Sequence, residues 1–320
     1  MIERIILLIV SIFLGMNMGA SGFSISFTPS YGSGLLTRRK ASLFYTIFVL
    51  IGGLLIGPRV VTTLVTKISH VSFGNYSGLI IIISSAIMMF IANLLKIPQS
   101  TSFITVSAFT GAAFYYHKVN WNTIIRIIYI TVIFSCLTFL ITYSIKKIFY
   151  PPRDSNFRLY EKSFVHNEKL KKFIIGTNLY SSFAIGTNNI ANVVAPIMLS
   201  FPIDLMLCIF LVGLSFGIGS LIFGKGLINT LSKEVIPIGQ ISAGIISLVT
   251  SGFVIIASLL GLPAPYAQFI TFSVLAISSV KDGFYLTYKK LVFKRIISVW
   301  LITPILTFLL TYLLHFLLIR

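Results

Sequence analysis

Gly186-Thr187-Asn188-Asn189-Ile190-Ala191-Asn192 gathers three side-chain amides in a stretch, 173–203, that holds no Lys, Arg, Asp or Glu. A second segment, Gly15-Met16-Asn17-Met18-Gly19-Ala20-Ser21, repeats the mixture inside the charge-free stretch 5–37. Amides and hydroxyls both donate and accept hydrogen bonds, so these segments offer neutral groups able to hold a small polar ligand. Gly and Asn also weaken a helix, and lipid cannot satisfy the backbone groups that a break exposes. Two matching breaks, one in each half, predict broken helices around a polar cavity at a repeat interface. Asn17, Ser21, Asn188, Asn189 and Asn192 are therefore candidate binding residues. The plainer reading, interhelical hydrogen bonding, suits a lone Asn better than polar residues clustered at two related positions.

Ile97-Pro98-Gln99-Ser100-Thr101-Ser102 brings a different chemistry. Pro suits a helix start, and Ser or Thr there caps free N–H groups. A helix N-terminus with spare N–H groups and hydroxyls binds an anion without any cationic side chain, although an ordinary cap looks the same in sequence. Ser100, Thr101 and Ser102 are the expected donors, with Gln268 of Leu262-Pro263-Ala264-Pro265-Tyr266-Ala267-Gln268 contributing from the second half. The seven acidic residues all lie in loops or near span ends, so Asp204 and Asp282 are the nearest candidates to hold a coupling ion. His70, His117 and His315 read as loop or interfacial residues. Nucleophile–base pairs, nucleotide-binding loops and metal-ligand clusters do not occur, which argues against an enzyme and against a metal or other cofactor.

The elements that position these groups are membrane helices. Of 320 residues, 56% are hydrophobic and 10% charged, and the mean hydropathy is +0.97; a soluble domain carries about 25% charged residues. A helical crossing needs roughly 20 apolar residues. Ten spans fit: 5–36, 42–66, 76–95, 97–117, 121–145, 172–200, 203–223, 235–260, 262–280 and 296–318, the first and sixth broken. The N-terminus resembles a signal peptide but reads as the first span. Cys136 and Cys208 both lie in spans and suit buried thiols rather than a disulfide.

Residues 146–171, with Pro151-Pro152 and a run of Lys and Arg, read as a cytoplasmic linker between a first repeat, 1–145, and a second, 172–320. The net charge of +18 does not imply nucleic acid, because the basic residues cluster between spans. With the N-terminus outside, 19 of the 25 Lys and Arg face the cytoplasm, as the positive-inside rule requires. Five spans per half then oblige the second half to enter upside down. The expected fold is an all-α integral membrane protein of about ten transmembrane segments, in two inverted-topology repeats with broken helices near the midplane. Phe103-Ile104-Thr105-Val106-Ser107 is echoed by Phe269-Ile270-Thr271-Phe272-Ser273, and Gly57–Leu64 by Gly224–Leu231.

These motifs resemble the PiT family of inorganic phosphate transporters over essentially the whole chain. That family carries two Gly-Ala-Asn-Asp-x-Ala-Asn motifs in inverted halves; Gly186–Asn192, followed by Ala195-Pro196, is close to the second, and Gly15–Ser21 is a degenerate first copy. The family's Pro-x-Ser-Thr-Thr-His segment matches Pro98–Phe103. The motif aspartates, implicated in Na⁺ coordination, are replaced by Met18 and Asn189; of the two, only Asn189 still offers an oxygen ligand. The overall pattern is most similar to the sulfate permease (CysP-like) branch. Sulfate, a dianion without a proton to donate near neutral pH, calls for donors and dipoles rather than a carboxylate.

The resemblance implies a secondary active importer of sulfate at the plasma membrane, working by alternating access and coupled to protons rather than Na⁺. The alternatives are a phosphate symporter of the same fold and a passive anion channel. A homodimer is implied by the resemblance alone.

Overall fold

The computed structural model describes residues 2–32, 35–70, 73–74, 76–94, 100–149, 167–224, 240–289 and 291–319. These form α1 (Ile2–Gly32), α2 (Arg38–Thr62) with a π-helical turn (Thr63–Lys67), α3 (Ser77–Leu94), α4 (Thr101–Tyr115), α5 (Trp121–Phe149), α6 (Asn167–Asn189), α7 (Ala191–Ser200), α8 (Leu205–Ile222), α9 (Gln240–Leu259), α10 (Tyr266–Asp282), α11 (Phe284–Lys289) and α12 (Leu291–Leu318). Among the described residues, seven helical segments are long and apolar enough to cross a membrane: 5–27, 38–67, 121–148, 168–200, 205–222, 241–259 and 297–318. The chain is a multi-pass membrane protein. On α5 and α12, exposed Ile125, Ile128, Val132, Leu301, Ile305 and Leu309 recur at helical spacing, the stripe expected of a lipid-facing surface.

The four middle spans expected from the sequence form two helical hairpins. The apolar part of α3, 77–92, has 16 residues and α4 has 15, short of the roughly 20 that a crossing needs. His70 N–H donates to the Lys118 carbonyl at 2.9 Å, and Asn120 N–H to that of Ile68 at 2.9 Å, so the start of α3 and the end of α4 lie together. α9 and α10 make the second hairpin, its tip held by Arg59 Nη1 donating to the Leu259 carbonyl at 2.9 Å. The hairpins enter from opposite ends of the bundle. Gly78, at the base of the first, packs on Pro196 and Ser200 at the end of α7; Gly244, at the base of the second, packs on Phe173 near the start of α6.

Glycine seams allow the central helices to approach closely. α2 packs along α6 and α1 along α8. A Cβ on Gly186 would stand 2.1 Å from the Val49 carbonyl oxygen, and one on Gly19 would stand 2.3 Å from backbone atoms of Phe216. Outside this centre, α12 packs on α4 and α5 on α10, so α12 covers the first hairpin and α5 the second.

Two expectations are corrected here. α1 is unbroken from Ile2 to Gly32, because Asn17 Nδ2 donates to the Phe13 carbonyl of its own helix at 2.9 Å, while Gly15 and Gly19 serve close packing. The second break shrinks to Ile190, which keeps helical dihedrals between α6 and α7. Pro196 lacks the N–H that the Asn192 carbonyl would otherwise accept. Lys146 and Lys147 belong to the last turn of α5 and residues 167–171 to α6. The rest of the expected linker, 150–166, and residues 97–99 and 225–231 lie outside the described residues.

Candidate functional site

Asn188 is the junction of the molecule. Its Nδ2 donates to Ser258 Oγ at 2.8 Å and to the Leu262 carbonyl at 3.1 Å; its Oδ1 accepts from Ala264 N–H at 2.9 Å and Ser102 Oγ at 3.1 Å. Two donors and two acceptors are all that an amide has, so none remains for a ligand. α6 and α7 form one span, Glu168–Ser200; at 1.5 Å per residue, Asn188 lies about 30 Å from its start and about 18 Å from its end. Both hairpin tips therefore meet inside the membrane span, where irregular backbone is admissible only if buried in protein or lining a cavity.

Hydrogen-bond direction propagates from this bolt to its neighbour. The Ala264 N–H can only donate, which fixes the orientation of Asn188. The Ser102 hydroxyl must then give its proton to Asn188, leaving only lone pairs for Asn192. Asn192 Nδ2 accordingly donates to Ser102 Oγ and to Thr101 Oγ1, both at 3.3 Å. Among the described residues, the Oδ1 of Asn192, like that of Asn189, is buried without a hydrogen-bond partner. Two bare carbonyl oxygens at this depth call for a cation, a water or a protonated ligand.

Beside them lies a small, partly open pocket, lined by Met18, Ser21, Gly22 and Ile25 of α1, Thr101 of α4, Asn189 of α6, and Tyr266 and Ala267 of α10. Thr101 is the first residue of α4, and Tyr266 and Ala267 are the first two of α10. Two helix N-termini, one from each hairpin, open into one space; of the first-turn N–H groups, Phe103 donates to Ser100 Oγ, and Tyr266 and Gln268 donate to the Ala264 and Pro265 carbonyls. The partial positive charge of the two N-termini favours an anion. None of the lining side chains is a carboxylate.

The candidate residues separate accordingly. Ser21, Thr101 and Asn189 line the pocket, and Asn192 stands behind Thr101. Ser100 caps α4, accepting from Phe103 N–H at 3.3 Å, and Ser102 is committed to Asn188. Asn17 turns back onto its own helix, and Gln268 is buried one residue beyond the lining Ala267. Asp204 caps α8, accepting from Leu207 N–H at 2.9 Å. Asp282 accepts from Ser278 at 3.3 Å at the far end of α10, so neither acid reaches the pocket. Tyr266 had no place among the candidates; its hydroxyl contacts Ser181 and lies 3.1 Å from Ser251 Oγ, which turns the ring toward the pocket. The Pro-Ala-Pro run ahead of it was the available signal. Nothing in the sequence singles out Ser258.

Fold and pocket define a multi-pass membrane protein built around a central, neutral, donor-rich cavity. The model of the phosphate transporter family (PHO4) matches residues 18–311, and the chain belongs to that family of inorganic anion transporters. The sulfate permease CysP of Bacillus subtilis is 29% identical over 309 residues, covering 96% of this chain and 86% of that protein. A putative phosphate permease of Methanocaldococcus jannaschii is 24% identical over 314 residues, covering 96% and 95%. A solved structure described as the sodium-dependent phosphate transporter shares the fold, with a TM-score of 0.82 and 19% identity over 99% of both chains.

Proposed function

We propose that the chain imports sulfate by alternating access, coupled to protons, across the plasma membrane with residues 146–171 on the cytoplasmic side. The observation that carries this reading is the convergence of two helix N-termini on a pocket with no lining carboxylate. Such a site attracts a dianion by dipoles and hydroxyls, and a carboxylate would repel a ligand that has no proton to share. The two inverted repeats are supported by the packing. Exchanging the halves turns the α2–α6 pair into α8–α1 and the α4–α12 pair into α10–α5, and the hairpins enter from opposite ends.

The bare oxygens of Asn189 and Asn192 also favour a second reading. A protonated phosphate could donate to them, with Na⁺ or a proton carrier as the alternative occupant. Uptake of labelled sulfate into proteoliposomes under an inward proton gradient, with and without excess phosphate, separates these readings. Accumulation that collapses with the gradient and ignores phosphate is the expected result. Uptake blocked by phosphate, or seen only with Na⁺, gives the phosphate reading; equilibration without accumulation gives a channel.

A further inference from the structure

His315 is fully buried in the last turn of α12, not interfacial as its place in the sequence suggested. Its Nδ1 lies 2.8 Å from the Thr311 carbonyl and its Nε2 lies 3.2 Å from Ser77 Oγ, which is 3.2 Å from Tyr116 Oη. A carbonyl only accepts, so Nδ1 carries the proton and Nε2 of the neutral ring accepts. The chain then has one direction: Tyr116 donates to Ser77, and Ser77 donates to His315. Ser77 opens α3 and Tyr116 follows α4, so this chain fastens the base of the first hairpin to α12. α4 runs from this base to Thr101 in the pocket, and Gly111 packs so closely on α12 that a Cβ there would stand 2.5 Å from the Phe308 carbonyl oxygen.

The opposite end of the molecule holds the same arrangement with different chemistry. Lys146, in the last turn of α5, donates to Ser242 Oγ in the first turn of α9 at 3.0 Å. An ammonium group has donors only. At His315, by contrast, adding one proton turns an acceptor into a donor.

We propose that His315 is a proton-operated positioning residue, which acts on the pocket through the α3–α4 hairpin. Uncharged, it holds the hairpin base as described. Protonated, it donates from Nε2 to Ser77; the Ser77 hydroxyl must then turn to Tyr116 Oη, and the Tyr116 proton must turn to water. The new charge stands against the rings of Tyr115 and Tyr116, with centroids at 5.5 and 6.0 Å. Among the described residues, these two are the titratable side chains that face it from the end of α4 and the residue after it; α3 presents Ser77, and its own helix presents Thr311, with Tyr312 beyond Tyr115. Hydration of a loosened base stabilises the charged ring, so proton binding favours the loosened state and shifts the population toward it.

The sulfate reading supplies only the probe for one arm of the test, equilibrium sulfate binding to the full chain in nanodiscs, without a gradient, between about pH 5.5 and 8, the range in which a histidine titrates. Sulfate keeps its charge across this range, so any pH dependence belongs to the protein. Relative to His315→Gln, whose amide oxygen accepts from Ser77 at every pH, wild-type affinity should fall about fivefold or more on acidification, the low end of allosteric couplings; protons taken up together with sulfate act on both proteins alike. His315→Lys, a copy of Lys146, should bind more weakly than His315→Gln at every pH. A residue with a merely structural role would shift affinity equally at all pH values, and His315→Gln with the wild-type profile overturns the proposal.

The second arm needs no substrate. In the full chain carrying His70→Gln, His117→Gln and His166→Gln, His315 is the remaining one of the 4 histidines, and its imidazole nitrogens should titrate by NMR before acid unfolds the protein. A ring that stays neutral to the acid limit overturns the proposal even if His315→Gln does not fold. A titrating His315 in a protein that binds no sulfate would leave the latch standing and remove the sulfate reading.

Discussion

Asn188 and Asn192 lie one helical turn apart and do opposite things. Asn188 has every hydrogen-bonding position filled by the two hairpin tips, so Asn188→Ala leaves the Ala264 N–H and the Leu262 carbonyl buried without partners. Each unsatisfied group costs about 1–3 kcal/mol, and the variant should melt well below the wild type in detergent. Asn192→Ala removes only two 3.3 Å contacts and should barely change the melt. If its Oδ1 faces the ligand or a co-bound cation, it should weaken sulfate binding at least about tenfold, a loss of about 1.4 kcal/mol. Binding that survives Asn192→Ala would move the ligand away from Thr101. Asn189→Asp asks the charge question directly: a carboxylate on the pocket wall should repel sulfate, and a variant that instead tightens binding would point to a cation or a protonated anion.

At the scale of elements, the packing of α6 against α2 decides whether the site exists. Gly186→Ala would put a methyl 2.1 Å from the Val49 carbonyl oxygen, while Gly176, on the same helix, has nothing within 4 Å of its virtual Cβ. Gly176→Ala should therefore stabilise α6 by about 0.5–1 kcal/mol, the helix-interior preference for Ala. Gly186→Ala should lower the melting temperature and uptake together, and equal melts for the two variants would refute the close seam. This contrast also marks what the sequence could convey. Hydropathy located the membrane helices, and the second Asn segment marked the place where the two hairpin tips meet. Glycines at 15 and 19 look the same whether they break a helix or pack it, so α1 was misread as broken. Short apolar runs such as 77–94 do not reveal whether they cross or fold back. His315 followed the same logic: proximity to a span end suggested an interface, whereas burial depended on α3 and α4, far away in sequence.

For the whole molecule, the decisive constraint on the proposed sulfate cycle is the charge that moves. Bringing a dianion inward against 100 mV costs about 4.6 kcal/mol, at about 2.3 kcal/mol per charge. Fewer than three monovalent cations per sulfate would leave the potential opposing or indifferent to import. With three or more, each cycle carries net positive charge inward. Sulfate added to proteoliposomes held at an inside-negative potential should then enter faster than at zero potential, and a capacitively coupled membrane should register inward positive current on sulfate addition. Uptake slowed by an inside-negative potential would mean uncompensated anion movement, as in a channel. Uptake indifferent to voltage would mean two cations per sulfate; the proton gradient alone would then drive accumulation, and the site would need room for no more than the oxygens of Asn189 and Asn192.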